Sequence, residues 1–312
     1  MDLMGASNFF TNRFGELVKK DVIFMMVNMF IMIFLSNSLY PSFEKTFIPF
    51  FFCVALLYTS IGLQYLLHTR NHLNHWDKRT CQAFATIAFI VAGLSYFSLF
   101  LPASFHYIPA FLAVLIAGTG LIPFRKYLNQ SPVNMMHLVE RFSLLTIIIF
   151  GEVIVGLASI FTITDFSYIY IFQFLVLIFM FGIYWLVSEK FINHKQKSIG
   201  FRLVYTHLII NIGLGILNAA LIYSNNNEIQ SLFEVNLIHL SVLLFLSGVW
   251  LNAPYFHENI NRVRPIIYSL ILLALSYIVS LIFLSNRPVM IISVALALGM
   301  TMAIHYRNRK VV

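Results

Sequence analysis

Long apolar stretches alternate with short polar gaps along almost the whole chain, from Val22 to Tyr306. Each stretch has roughly the 20 residues that an α-helix needs to cross the hydrocarbon core of a bilayer. The pattern therefore predicts an all-α protein, a polytopic membrane helix bundle. We place about ten transmembrane helices, at approximately residues 21–40, 46–67, 81–101, 105–124, 140–161, 168–188, 201–223, 232–251, 265–284 and 288–306.

The composition supports a lipid environment. Of the 312 residues, 60% are hydrophobic and only 10% are charged, whereas a soluble globular domain carries about 25% charged residues. So much apolar surface does not fit inside one soluble core of this length. We therefore predict an integral membrane protein whose surroundings are mainly the lipid bilayer.

The basic residues are distributed unevenly between the gaps. Eighteen of the twenty Lys and Arg residues lie in every second gap, counting both chain ends as gaps, and only Lys45 and Arg287 lie in the others. The positive-inside rule assigns the basic side to the cytoplasm. This predicts a cytoplasmic N-terminal segment at 1–20, a transmembrane domain at 21–306 and a cytoplasmic tail at 307–312. Because the net charge of +8 is spread over short loops, we predict no nucleic-acid partner.

Glu152 is the strongest candidate for a functional group within a span. If the fifth helix enters hydrocarbon near Leu144, Glu152 lies about 12 Å deep, close to the bilayer centre. A carboxylate there is costly and usually faces a cavity or a partner. Two interpretations stay open: a protonatable centre for proton coupling or cation binding, and a carboxylic acid that only bonds two helices together. We expect the side chain to face the protein interior.

Other polar residues share the fifth helix with Glu152. Arg141 lies within about 20° of the same helix face, and Leu145, Ile148, Val155 and Ser159 lie along that face too. Either this face is a partly polar stripe that leads from the cytoplasm to the bilayer centre, or Arg141 is simply an interfacial anchor whose side chain snorkels. His137 and Glu140 are spaced i, i+3 at the start of this helix, a geometry that some metal sites use. With two ligands visible, a surface charge cluster is the simpler interpretation, and we predict no metal and no cofactor.

The seventh helix carries His207, Asn211 and Asn218. At about 100° per residue these side chains fall within roughly 40° of one another. Such a polar face either lines a cavity together with Glu152 or satisfies hydrogen bonds between helices. Both interpretations stay open at this point.

The fifth helix also carries a family resemblance. The run from His137 to Glu152 resembles the signature of the bacterial low-temperature-requirement A (LtrA) family, roughly His-x-x-Glu-Arg-x-x-Leu, an apolar run and Gly-Glu-x-Ile-Val. The tetrapeptide Tyr205-Thr206-His207-Leu208 resembles the family's Tyr-Gly-His-Leu segment. The stretch from Tyr184 to Glu189 is similar to an aromatic helix end that usually closes with Asp.

The resemblance implies a multi-pass protein of the bacterial cytoplasmic membrane, linked to growth in the cold and without a settled biochemical activity. It also implies importance for Glu140, Arg141, Glu152 and His207. Family members usually begin with a helix bearing Glu-Leu-Phe-Phe-Asp-Leu-Val-Phe, and a second helix that ends in Asn-Arg-Phe. Because Asn12-Arg13-Phe14 resembles that second ending, we expect this chain to lack the family's first two helices and their acidic pair.

These observations favour transport or permeation of a small solute or an ion, coupled to protons through Glu152. The pathway candidates are Glu152, Arg141, Glu140, His137, His207, Asn211 and Asn218. Two alternatives stay open. One is a membrane-embedded enzyme that uses His137 and Glu140 on a lipid-linked substrate. The other is a non-catalytic partner of other membrane proteins. No Gly-x-Ser-x-Gly, Walker A or His-Glu-x-x-His motif occurs, so no catalytic residue is assigned.

The charge distribution predicts that both chain ends lie in the cytoplasm. A reporter fused at Lys310 should report the cytoplasm, and one in the gap from Ser224 to Ser231 should report the opposite side, because 18 of 20 basic residues mark one set of gaps. Paired phosphatase and fluorescent-protein fusions measure this. Finding both reporters on one side of the membrane would refute the ten-helix topology.

Overall fold

Ten long helices make up most of the chain. The computed structural model describes residues 19–40, 42–69, 74–102, 104–130, 132–161, 164, 166–224, 230–284 and 286–308. In these ranges the helices are α1 (Lys19–Asn37), α2 (Phe43–His68), α3 (His75–Phe100), α4 (Tyr107–Thr119), α5 (Met135–Ile160), α6 (Ile169–Leu186), α7 (Phe201–Tyr223), α8 (Ser231–Trp250), α9 (Arg264–Ile282) and α10 (Arg287–Asn308).

All ten helices have the length and apolar composition to cross a membrane, α4 together with the 3₁₀ turn Ile122–Phe124 that follows it. The described residues contain no β-strand, only two isolated bridges, Val133 to Ser198 and Ile192 to Phe256. The expected all-α membrane protein with ten spans is therefore confirmed. The residues Asn12 to Phe14, on which the expected loss of two helices rests, lie outside the described ranges.

Several helices begin earlier than the hydrophobic pattern predicts. Helix α5 begins at Met135 instead of near residue 140, and its 26 residues extend about 39 Å. This exceeds the roughly 30 Å of hydrocarbon, so α5 is longer than the apolar layer is thick. Hydropathy marks only the part of a helix that lies in lipid, which explains the difference.

The chain divides into two compact units. The first contains α1 to α4, the first turn of α5 as far as Leu138, and Lys197–Gly200; the second contains the rest of α5 and α6 to α10. In the first unit, α1 contacts α2 through the Gln64 amide, which donates to the Asp21 carboxylate at 3.2 Å. Both side chains are buried, so this polar contact is shielded from its surroundings.

Aromatic stacking holds the other helices of the first unit together. The Tyr65 ring of α2 stacks on the Phe84 ring of α3, with centroids 4.7 Å apart. At the other end of α2, Phe47 stacks on His106, just before α4, with ring centroids 3.8 Å apart. These contacts bury flat apolar surfaces, where offset stacking of rings is favourable.

In the second unit, α7 and α8 approach each other closely because glycines lie between them. A Cβ atom on Gly213 would lie 2.8 Å from the Phe245 backbone nitrogen and 2.9 Å from the Ser241 carbonyl oxygen. A Cβ on Gly248 would lie 2.8 Å from the Thr206 carbonyl oxygen. Small residues allow backbones to approach in this way, and van der Waals contact then drives helix association in lipid.

An ion pair between a buried carboxylate and a partly exposed arginine joins the first turns of α8 and α10. The Glu234 carboxylate, only 2% exposed, accepts a hydrogen bond from Arg287 Nε at 3.1 Å. The Ser224 hydroxyl, just after α7, donates to the other carboxylate oxygen. Arg287 is one of the two basic residues that depart from the charge pattern. Glu234 neutralises its charge, which explains why the pattern tolerates Arg287 there.

We expect Gly213→Ala to destabilise the second unit, by about 1–3 kcal/mol as for other overpacked sites, because the new methyl group meets backbone atoms of α8 that cannot move aside. Thermal unfolding of the purified protein in detergent measures the loss. Gly215→Ala is the matched control, since a Cβ at Gly215 has no atom within 4 Å. Equal stability of the two variants would contradict the close α7–α8 contact.

Candidate functional site

The polar face of α7 packs against α5 and α6 within the second unit. Its first member, His207, is only 1% exposed. The imidazole Nε2 lies 2.9 Å from the hydroxyl oxygen of Tyr184 on α6, and Nδ1 lies 2.8 Å from the Leu203 carbonyl oxygen. The ring also packs against Phe142 of α5, with centroids 5.4 Å apart. His207 is therefore fully bonded and enclosed.

The two contacts of His207 determine its neutral tautomer. A carbonyl oxygen only accepts hydrogen bonds, so Nδ1 must carry the hydrogen and donate it to Leu203. Nε2 is then an acceptor, and the Tyr184 hydroxyl donates to it. Ser143 Oγ on α5 lies 3.2 Å from the Tyr184 oxygen. The Tyr184 hydroxyl is placed to donate to Ser143 Oγ as well, so its single hydrogen has two alternative acceptors, the imidazole and Ser143.

Farther along α7, Asn211 and Asn218 also contact α5. The Thr146 hydroxyl donates to the Asn211 side-chain oxygen at 3.1 Å. The oxygen of Asn218 lies 2.0 Å from where a Cβ on Gly156 would be, and it has no hydrogen-bond partner among the described residues. Hence any residue larger than glycine at position 156 would collide with Asn218. The polar cluster formed by Ser143, Thr146, Tyr184, His207 and Asn211 is called the His207 cluster below.

Glu152 does not join the His207 cluster. Its side chain is exposed, although the next residue, Val153, is 1% exposed. Successive helical residues turn by about 100°, so Glu152 points about 120° away from Thr146. The expectation that Glu152 faces the interior is therefore wrong for the chain as folded, because α5 turns Thr146 and Gly156, not Glu152, toward the polar face of α7.

The remaining candidates lie near the start of α5. His137 and Glu140 are exposed, and Arg141 is half-buried. His137 belongs to the first unit, whereas Glu140 and Arg141 belong to the second. No group of three or more His, Cys, Asp or Glu side chains able to hold a metal ion occurs in the described part of the chain.

A comparison with protein families identifies the chain. The model of the bacterial low temperature requirement A protein (LtrA) family matches residues 5–304. The chain belongs to the LtrA family. No curated protein and no solved structure matches this LtrA-family chain. The family resemblance read from the run between His137 and Glu152 is thereby confirmed, and so is the multi-pass membrane assignment.

Sequence reasoning missed three members of the His207 cluster. Ser143 and Thr146 are short hydroxyl residues at i, i+3 spacing on α5, and Tyr184 is one aromatic residue among many in an apolar helix. The sequence did contain one signal for this pair. Hydroxyl residues spaced i, i+3 lie on one face of a helix, which indicates a shared polar contact. Of the five cluster members, His207 is the one for which the family resemblance implies importance.

A second polar network occurs in the last three helices of this LtrA-family chain. His239 Nε2 of α8 lies 3.2 Å from Ser276 Oγ of α9, which lies 3.1 Å from Ser293 Oγ of α10. His239 Nδ1 donates to the Val235 carbonyl oxygen at 2.9 Å, so this ring also has a defined tautomer. The network joins three helices and includes none of the predicted pathway residues.

We expect Tyr184→Phe to destabilise the second unit by about 1–2 kcal/mol, because the buried His207 Nε2 and the Ser143 hydroxyl lose their shared partner. Chemical denaturation in detergent, followed by tryptophan fluorescence, measures the change. Tyr223→Phe is the control, since Tyr223 is 52% exposed at the end of α7. Two variants of equal stability would contradict the assigned hydrogen bonds.

Proposed function

We propose that this LtrA-family protein transports a small solute or an ion across the membrane in exchange for, or together with, protons. The observation that carries the proposal is the hydrogen bond of 2.9 Å between His207 and Tyr184 inside a membrane-spanning unit. Polar and ionisable groups within membrane-spanning helices are expensive, and they often mark proton and ion pathways. If His207 and Tyr184 served only to pack the helices together, apolar residues of similar volume would do so without burying polar groups.

The geometry of the His207 cluster supplies a two-state element. In the neutral state the Tyr184 hydroxyl donates to Nε2. When a proton binds Nε2, the imidazole has two donors, so the tyrosine hydrogen must turn away and point toward Ser143 Oγ, 3.2 Å distant. Protonation therefore reverses the hydrogen bond between α6 and α7 and turns the tyrosine hydrogen toward Ser143 on α5.

Reversal of this kind is suited to coupling. His207 lies on α7, Tyr184 on α6 and Ser143 on α5, so one proton changes the contacts among three helices. A ligand or a proton can shift a conformational equilibrium only where the protein has two arrangements that bind it with different affinity. In this proposal, binding of the transported species favours one arrangement and protonation the other. The candidates Asn211 and Asn218 extend the same face along α7.

Reconstituted vesicles test the proposal. The protein is reconstituted into vesicles that hold a preformed pH gradient, and a fluorescent amine reports the size of the gradient. Alkali cations, ammonium, phosphate and neutral amino acids are then added in separate experiments. We expect at least one of these to collapse the gradient faster than in protein-free vesicles. His207→Gln should reduce that rate at least tenfold, because a glutamine amide does not bind and release the proton.

A matched variant separates transport from folding. His239→Gln changes another buried histidine with the same pair of contacts, a backbone carbonyl and a neighbouring hydroxyl, but outside the His207 cluster. We expect it to keep the transport rate. No gradient collapse with any solute, or equal loss in both histidine variants, would refute the proposal.

A further inference from the structure

The exposed face of α5 carries a regular seam. Leu145, Ile148, Glu152, Val155 and Ser159 follow one another at intervals of three, four, three and four residues, the spacing of the a and d positions in a coiled coil. Ile148 is 63% exposed and Val155 is 65% exposed, and Glu152 between them is also exposed. These five residues are called the α5 seam. Its spacing fits a second helix packed alongside.

Glu152 makes the α5 seam different from an ordinary lipid-facing surface. It makes no hydrogen bond or ion pair with another described residue, yet it lies near the middle of the apolar part of α5. Carboxyl groups at that depth almost always face a protein partner or a water-filled cavity. Beside it, a Cβ on Gly151 would have no atom within 4 Å, so a neighbouring backbone has room to approach.

We propose that the α5 seam is the interface of a symmetric dimer, in which Glu152 of each copy hydrogen-bonds to Glu152 of the other. Two copies in one membrane share the same orientation, so their two-fold axis runs along the membrane normal. The two α5 helices are then parallel, and each seam residue meets its own copy at the same depth.

The chemistry of the α5 seam favours a second copy as the occupant. A protonated carboxyl group has one donor and one acceptor, so two of them facing each other satisfy both without any other residue type. Ile148 and Val155 pack against their own copies in the adjacent layers. A polar residue at a single a position sets register and oligomeric state in coiled coils, which is the role assigned to Glu152 here.

Helix α9 provides a matched control. Its residues Ile271, Leu275, Ile278 and Ile282 are 50–69% exposed and follow the same heptad spacing, but include no polar group. An exposed apolar heptad face is thus present in the same unit without a carboxyl. If apolar spacing alone caused association, both faces would associate equally.

Disulfide cross-linking in native membranes tests the interface. Cys53 and Cys81 are free and buried, so the parent chain should give no cross-linked product. With Val155→Cys, mild oxidation should convert most of the protein to a species of twice the chain mass, because d-position residues of a parallel pair face each other. Ile278→Cys should give at least fivefold less. Equal yields, or a product of another mass, would overturn the proposal.

The role of the carboxyl is tested in the Val155→Cys chain. Adding Glu152→Gln should preserve the cross-linked yield, since amides also pair with each other, and adding Glu152→Leu should lower it at least fivefold. An unchanged yield with leucine would overturn the assignment to Glu152. If the cysteine variants do not insert, native mass spectrometry of the parent chain from nanodiscs decides: we expect dimers, and monomers alone would overturn the proposal.

Discussion

Lipid offers no hydrogen bonds, so every polar group inside a span must find its partner within protein or in a hydrated cavity. Helix α7 meets this constraint with contacts on three sides. Thr206 donates to Asn252 at 2.8 Å, just after α8, His207 bonds to Tyr184 of α6, and Asn211 accepts from Thr146 of α5. The position of α7 among α5, α6 and α8 depends on these contacts.

Close backbone packing makes those hydrogen bonds geometrically available. Gly213 and Gly248 bring α7 and α8 together, and Gly156 lets α5 approach Asn218. In lipid, van der Waals contact replaces the hydrophobic effect as the force between helices, so glycines and polar pairs act together. In the proposed mechanism the same combination makes the His207 cluster responsive, because one proton at the imidazole would change hydrogen bonds between closely packed helices.

In the proposed dimer, Glu152 connects the fold to assembly. The chain pairs the buried acid Glu234 with Arg287 and Ser224, whereas Glu152 stays exposed on the α5 seam. Because a carboxyl group in lipid needs a polar partner, the proposed partner of Glu152 belongs to a second copy of the chain. Transport through the His207 cluster and dimerisation through the α5 seam involve different faces of α5, so the two proposals stand independently.

The sequence by itself determined the number and type of the spans and the family. An apolar run of about 20 residues forms a transmembrane helix in a bilayer. The run from His137 to Glu152 resembles the LtrA signature, and the family model matches residues 5–304. It also grouped His207, Asn211 and Asn218 on one face, because helical periodicity is a local property. The cytoplasmic location of both ends stays a prediction.

Only the tertiary structure decided which faces meet. Hydropathy treats Thr146 and Glu152 alike as polar residues on α5, but the rotation of that helix buries the first and exposes the second. Tyr184 and Arg287 acquire their partners from helices distant in sequence. Helix rotation is set by glycine contacts and hydrogen bonds summed over several neighbours, and no local pattern in one helix contains that information.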